Sequence, residues 1–306
     1  MSMSKNVDEG SPGREIQSAL LDVVSGDATG DYLVLGNWNY EPVDPSEITA
    51  CIVSVRSLPQ HLEWKVLFSI ENWVLTMSRL APTSYFLGTS HGDLIRVNKG
   101  VQQTYETGVM GVDTISGNSD TDCWLAHGAG LSHWDGKKIT QTVASDAVLG
   151  VHWLAADFAV AVGDKGLVKR FDGLRWHEVE SSPINTTLVT ALCISRKEIY
   201  VGGWDGVLYR WDGSDRWQKI EIVNEDGEAD DAVQSIVQFK SCLYACLGAS
   251  GLYKIQGQRA GKVSDFYSGR GTVIADKLIL TGWDSFAEFD GFRWKQTSIK
   301  LPSATP

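Results

Sequence analysis

Short apolar runs alternate along this chain with breaks rich in Gly and Asp, and one stretch shows the unit plainly. In Gly203-Trp204-Asp205-Gly206-Val207-Leu208-Tyr209-Arg210-Trp211-Asp212-Gly213, followed by Trp217, the pattern predicts a strand, a tight Asp-Gly turn and a second strand ending in Trp-Asp-Gly. A third strand then opens on Trp. The unit recurs. Gly163-Asp164-Lys165-Gly166-Leu167 leads to Arg170-Phe171-Asp172-Gly173 and Trp176, and Gly282-Trp283-Asp284 leads to Glu288-Phe289-Asp290-Gly291 and Trp294. Weaker copies close on Trp134-Asp135-Gly136, Ile255-Gln256-Gly257 and Val97-Asn98-Lys99-Gly100.

The closing glycines at 100, 136, 173, 213, 257 and 291 set a period of about 34 to 44 residues. Repeats of that length bury their faces only by stacking on one another. The predicted fold is therefore all-β, a seven-bladed β-propeller with four antiparallel strands per blade; six and eight are the neighbouring counts. Blade one takes strands at 16–24, 32–35, 50–55 and 63–68, with a long loop over 36–47 in place of a tight hairpin. Blades two to four take 73–78, 85–87, 94–97 and 102–105, then 111–115, 123–126, 131–134 and 139–143, then 150–154, 159–162, 167–171 and 176–179. Blades five to seven take 188–194, 199–202, 207–211 and 217–222, then 233–239, 242–246, 252–255 and 262–265, then 272–275, 278–280, 286–289 and 294–297. Each blade keeps its own four strands, so the ring is expected to close by side-chain packing between its first and last blades. Residues 1–14 read as a disordered tail, 15–300 as one domain and 301–306 as a C-terminal tail.

Composition narrows the function classes. The 306 residues carry 27 Lys and Arg against 38 Asp and Glu, a formal charge of −11 that repels phosphate backbones and steers basic partners inward. Nucleic acid is not an expected ligand. Twelve Trp against four Met suit a stiff core between sheets. Five cysteines at 51, 123, 193, 242 and 246 form no CxxC and read as free thiols of a reducing compartment, the cytoplasm. The longest apolar stretch, 147–163, holds His152 and Asp157 in its middle, which fits two consecutive buried strands and no membrane span. The first 14 residues lack the apolar segment of a secretory signal.

The aromatic-Asp pairs Trp134-Asp135, Phe171-Asp172, Trp211-Asp212 and Phe289-Asp290 resemble those of WD-repeat propellers, over roughly residues 84–298. The Gly-His dipeptide that opens a WD repeat is missing from the corresponding connections. Asp172-Gly173-Leu174-Arg175-Trp176 also resembles the Asp-box turns of sialidase-like propellers, without their preceding Ser or Thr and with the Gly one residue early. Both resemblances imply a propeller and leave function open, since such folds serve scaffolds and enzymes alike. Within the repeat, Asp-Gly is expected to make a turn and Trp176, Trp217 and Trp294 to cover gaps between sheets, in preference to binding sugars.

Catalytic patterns are absent from the sequence. The histidines at 61, 91, 127, 133, 152 and 177 show no metal spacing, and neither a GxSxG elbow nor a P-loop is present. No cofactor and no catalytic residue is predicted. The acidic run Glu225, Asp226, Glu228, Asp230 and Asp231 departs from calcium-loop order and reads as a solvated loop. What remains is the face where the second-to-third-strand turns and the interblade connections emerge. It is expected to gather Trp38, Tyr40, Glu41, Asp44, His91, His127, Asp164, Trp204, Asp205, Trp283 and Asp284 with that acidic run. Aromatic anchors among carboxylates suit a protein-binding surface for a basic partner. The predicted function is a non-enzymatic, cytoplasmic, protein-binding propeller, monomeric on its own. Its sharpest form is a bacterial immunity protein that neutralises a basic toxin, such as a nuclease. The alternatives are a WD-like assembly scaffold and a propeller hydrolase or lectin acting on sugars or lactones.

Overall fold

A computed structural model of the chain describes residues 6–7, 15–26, 31–40, 48–57, 62–223 and 231–299. Seven antiparallel sheets follow one another along the sequence, and each inner strand packs on the inner strand of the next sheet until the seventh meets the first. Blade one is Glu15–Ser25, Asp31–Tyr40, Thr49–Ser57 and Leu62–Ile70. The inner strands of blades two to seven are Val74–Ala81, Thr114–Ser119, Val148–Ala155, Leu188–Ser195, Ser235–Phe239 and Arg270–Ile274. The expected seven blades of four strands are thus present.

The core lies between the blades. Each of seven hydrophobic clusters joins two neighbouring sheets, one cluster per boundary; Trp124, Phe171 and Trp176, for example, meet between blades three and four with ring centroids 5.3–5.5 Å apart. Trp217 lies flat on Trp211 at 5.1 Å and Trp294 on Phe289 at 4.5 Å, each on its cross-strand partner within its own blade. Trp217 also joins the cluster between blades four and five, whereas Trp294, 38% exposed, covers no gap between sheets. The repeat's Asp-Gly pairs make turns. One carboxylate oxygen of Asp135, Asp172, Asp212 and Asp290 accepts two backbone N–H groups just downstream, at 2.7–3.3 Å, and the glycine after each has φ between 81° and 104°. At Asp212 the Ser214 hydroxyl, donating at 2.7 Å, adds the largest effect, and at Asp172 His177 adds to the backbone donors; together these bonds hold all four carboxyls below the usual carboxylate range.

The ring closes without a shared strand. Buried Leu20, Tyr32 and Trp38 of blade one pack with Ile274, Ile279 and Phe286 of blade seven. The Tyr32 hydroxyl donates to buried Glu288 at 2.6 Å, and Leu20 N–H donates to the Trp283 carbonyl at 2.9 Å. Inside the channel, Arg270 Nη1 of blade seven donates to Asp22 of blade one at 2.8 Å and Thr76 of blade two at 3.2 Å. Asp22 also accepts the Met77 N–H at 3.0 Å, so three blades share one carboxylate.

Three expectations are corrected. Residues 36–40 continue the second strand of blade one, with Asn37 paired to Ala19 and Ala50, and Trp38 to Ser18 and Thr49. The polar and aromatic residues there answer to burial: Asn37 donates to the Val74 carbonyl at 2.9 Å, and Trp38 is core. The strand expected over 217–222 divides at buried Ile220. Trp217–Lys219 stays in blade five, while Glu221–Val223 pairs in parallel with Arg259–Gly261 and covers the outer edge of blade six. Finally, Asn6 and Val7, placed in the tail by the sequence, pair as a short strand with Ile16 and Glu15.

Candidate functional site: the channel mouth

Seven tripeptides, one within or at the start of each inner strand, line the upper channel with their second and third residues: Leu20-Leu21-Asp22, Val74-Leu75-Thr76, Val112-Asp113-Thr114, Val148-Leu149-Gly150, Leu188-Val189-Thr190, Val233-Gln234-Ser235 and Gly269-Arg270-Gly271. Their third residues are small or hydroxylated, Asp22 apart, because seven inner strands converge there. They line a deeper cavity of about 340 Å³. Their second residues ring the mouth, where β-bulges in blades one, two, four and five aim Leu21, Leu75, Leu149 and Val189 inward. Asp113, Gln234 and Arg270 break that apolar ring.

Above the ring the mouth widens into a cavity of about 410 Å³ that also takes Trp204, Tyr267 and Trp283. Trp204 opens a hairpin turn in which Asp205 (φ 56°) and Gly206 (φ 62°) both take the left-handed region, closed by Val207 N–H to the Trp204 carbonyl at 3.1 Å. That geometry needs Asp-Gly and lifts the indole into solvent, 54% exposed. Trp283 sits on the matching turn of blade seven, anchored by the Leu20 N–H, with its ring 4.9 Å from Tyr267. Asp113 is half-buried opposite. Burial pushes its carboxyl up to about 6, and the Arg270 guanidinium opposes that rise only in part.

Of the residues proposed from sequence, Trp204 and Trp283 come together at this mouth. Asp164, Asp205 and Asp284 lie on its surrounding turns; Asp164 accepts from Thr187 at 3.2 Å and Asp205 from Thr186 at 3.1 Å. Asp231 accepts the Ser250 N–H at 2.7 Å beside Tyr267. His91 is exposed and pairs with Asn72 at 2.9 Å. His127, expected on the same face, is instead fully buried, accepting the Ala129 N–H at 3.2 Å and bonded to Ser132 at 3.0 Å. Its imidazole, driven below its ordinary value by desolvation, is a structural group. Trp38 likewise belongs to the core. Tyr40 ends its strand, and Glu41, Asp44, Glu225, Asp226, Glu228 and Asp230 lie outside the described residues. Among the described residues no three His, Cys, Asp or Glu side chains cluster to hold a metal.

Sequence reasoning missed Asp113, Tyr267 and Arg270. The signal lies in the tripeptides, whereas the strongest marks of the repeat are the glycines that follow the third strands, outside the channel lining.

Ring and mouth define the class: a seven-bladed β-propeller with an open, aromatic-rimmed channel. No protein-family model matches the chain, and no curated protein is similar to it in sequence. Among solved structures it is similar to the WD40 β-propeller domain of Doa1, with a TM-score of 0.68 and 9% identity over 91% of this chain and 97% of that one. It is also similar to the WD40 repeats of RRP9, with a TM-score of 0.60 and 12% identity over 81% and 84% of the two chains. The fold is that of the WD40 propellers, as the aromatic-Asp pairs implied.

Proposed function

We propose that the chain is a non-catalytic binding propeller that holds another protein across the mouth of its channel. The observation that carries this reading is the pair of tryptophans, Trp204 and Trp283, raised on rigid turns at the rim of one concave site. Aromatic rings fixed by backbone hydrogen bonds lose little entropy on binding, and those in an interface core contribute most of its energy. The likeness to WD40 propellers supports a scaffold or interaction role at the level of fold. The formal charge of −11 favours a basic partner. In its most specific form the reading is a cytoplasmic immunity protein that masks a basic toxin domain.

Capture of partners from the native host, with wild type and Trp204→Ala compared, tests it. A specific partner should bind wild type and be weakened by about 2 kcal/mol or more in the variant, through faster dissociation. A partner that holds both proteins equally would move the interface elsewhere, and a partner other than a toxin would retire the immunity form.

A further inference from the structure

Only one of the seven residues ringing the mouth is an acid, Asp113, and its carboxylate has no direct partner among the described residues. Arg270, the ring's cation, is already committed: its Nη1 is 2.8 Å from the Asp22 carboxylate and also donates to Thr76. Arg270 therefore acts on Asp113 only through Coulomb attraction, which offsets the effect of burial in part. Asp113 remains, half-buried, with no hydrogen bond or ion pair to its carboxylate among the described residues; its backbone N–H alone is engaged, by the Ala126 carbonyl. Its neighbours in the ring are Leu75 and Leu149, which offer no donor. Behind the rim, Asp231, which accepts the Ser250 N–H, adds a second negative charge whose field reaches the Tyr267 hydroxyl. Three aromatic rings, Trp204, Tyr267 and Trp283, complete the wall.

A desolvated carboxylate without a donor costs stability, and a cation placed against it between aromatic faces recovers that cost through Coulomb attraction and cation–π contact. We propose that the channel mouth is a receptacle for one lysine or arginine side chain, presented by an extended segment of the partner protein, with Asp113 as its counter-ion and the three rings as its walls. The cavity of about 410 Å³ takes one such side chain together with flanking backbone. This inference rests on the protein-binding reading and specifies what enters the site. The raised pKa of Asp113 agrees with the geometry, being the mark of a charge the fold alone does not satisfy.

The test uses Nα-acetyl-arginine amide as probe, with the isosteric neutral citrulline amide and the acidic Nα-acetyl-glutamate amide beside it, followed by tryptophan fluorescence. The arginine probe should bind in the millimolar range and the citrulline probe at least about tenfold more weakly. Asp113→Asn should lose about tenfold in affinity for arginine while its thermal midpoint rises by roughly 2 °C or more, because an unsatisfied buried charge has gone. A merely structural acid would lower the midpoint on removal. Equal binding of arginine and citrulline, stronger binding of glutamate through Arg270, unchanged affinity in Asp113→Asn, or no binding at tens of millimolar would each overturn the proposal. The two readings fail separately. A partner lost with Trp204→Ala but indifferent to Asp113→Asn keeps the binding face and removes the receptacle. Arginine held through Asp113, with no partner dependent on Trp204, does the reverse.

Discussion

Individual residues in this chain are decided by the backbone geometry and desolvation imposed on them. Gly213 has φ 81°, and a Cβ built there would lie 2.0 Å from the Arg196 carbonyl oxygen. Gly213→Ala therefore combines a left-handed backbone with a backbone clash, and should lower stability by about 2 kcal/mol or more in chemical denaturation. Asp212 beside it should matter through its turn hydrogen bonds, so Asp212→Ala should lower the thermal midpoint without changing the fold. His152 illustrates burial. Its Nδ1 accepts the Cys193 N–H at 3.3 Å, and desolvation lowers the imidazole from 6.5 to about 4. The unfolded chain takes up this proton first as pH falls, so the contribution of neutral His152 is complete above pH 6.5 and is lost toward pH 4. Between pH 7 and 5 the wild type should lose about 2 kcal/mol more than His152→Gln, measured by urea denaturation at each pH. Asp113 opposes this trend with the reverse sign, since its raised pKa makes the folded state take up a proton first below pH 6. Comparing the two proteins with Asp113 intact in both isolates the histidine.

Elements meet most consequentially where blade seven returns to blade one. Nothing covalent or strand-shared holds that boundary; besides the hydrophobic cluster, the Leu20–Trp283 backbone bond and the Arg270–Asp22 pair, an aromatic pair, Tyr32 and Phe286 at 5.2 Å, and the polar knot around Glu288 do so. Glu288 is 4% exposed and takes Tyr32 on one oxygen together with Lys277 at 2.9 Å. Tyr32→Phe keeps the ring packing and removes a hydroxyl donor from a buried carboxylate. It should cost about 1–3 kcal/mol, and hydrogen exchange should quicken first in the inner strands of blades one and seven. Uniform loss of protection around the ring would instead mean that this boundary is no weaker than the other six. The parallel pairing of Glu221–Val223 with blade six is a second device at this scale, tying two outer edges and leaving one edge fewer to aggregate.

At the scale of the whole molecule, charge and shape act on different steps of binding. The 225–231 acids belong to the connection from blade five to blade six, which ends at Ala232 on the rim of the mouth. Neutralising Glu225, Asp226, Glu228 and Asp230 together, with Asp231 kept for its bond to the Ser250 N–H, should slow association with a basic partner and flatten its salt dependence, leaving dissociation nearly unchanged. Stopped-flow association at several salt concentrations reads this directly; a faster dissociation would place these acids in the interface core. The sequence by itself determined the repeat, since Asp-Gly turns and the aromatics that follow them are local requirements of tight turns between short strands. Blade number, the turn carboxylates and the exposed Trp204 followed from it. The rest of the channel mouth was decided only by the tertiary structure: Asp113, Tyr267 and Arg270 are spread over a hundred and more positions, and no local pattern says that ring closure brings them to one cavity. Burial of His127 and Trp38 was decided in the same way, because a polar or aromatic residue near a turn faces solvent or core according to the neighbouring blade, which packs against it from elsewhere in the sequence.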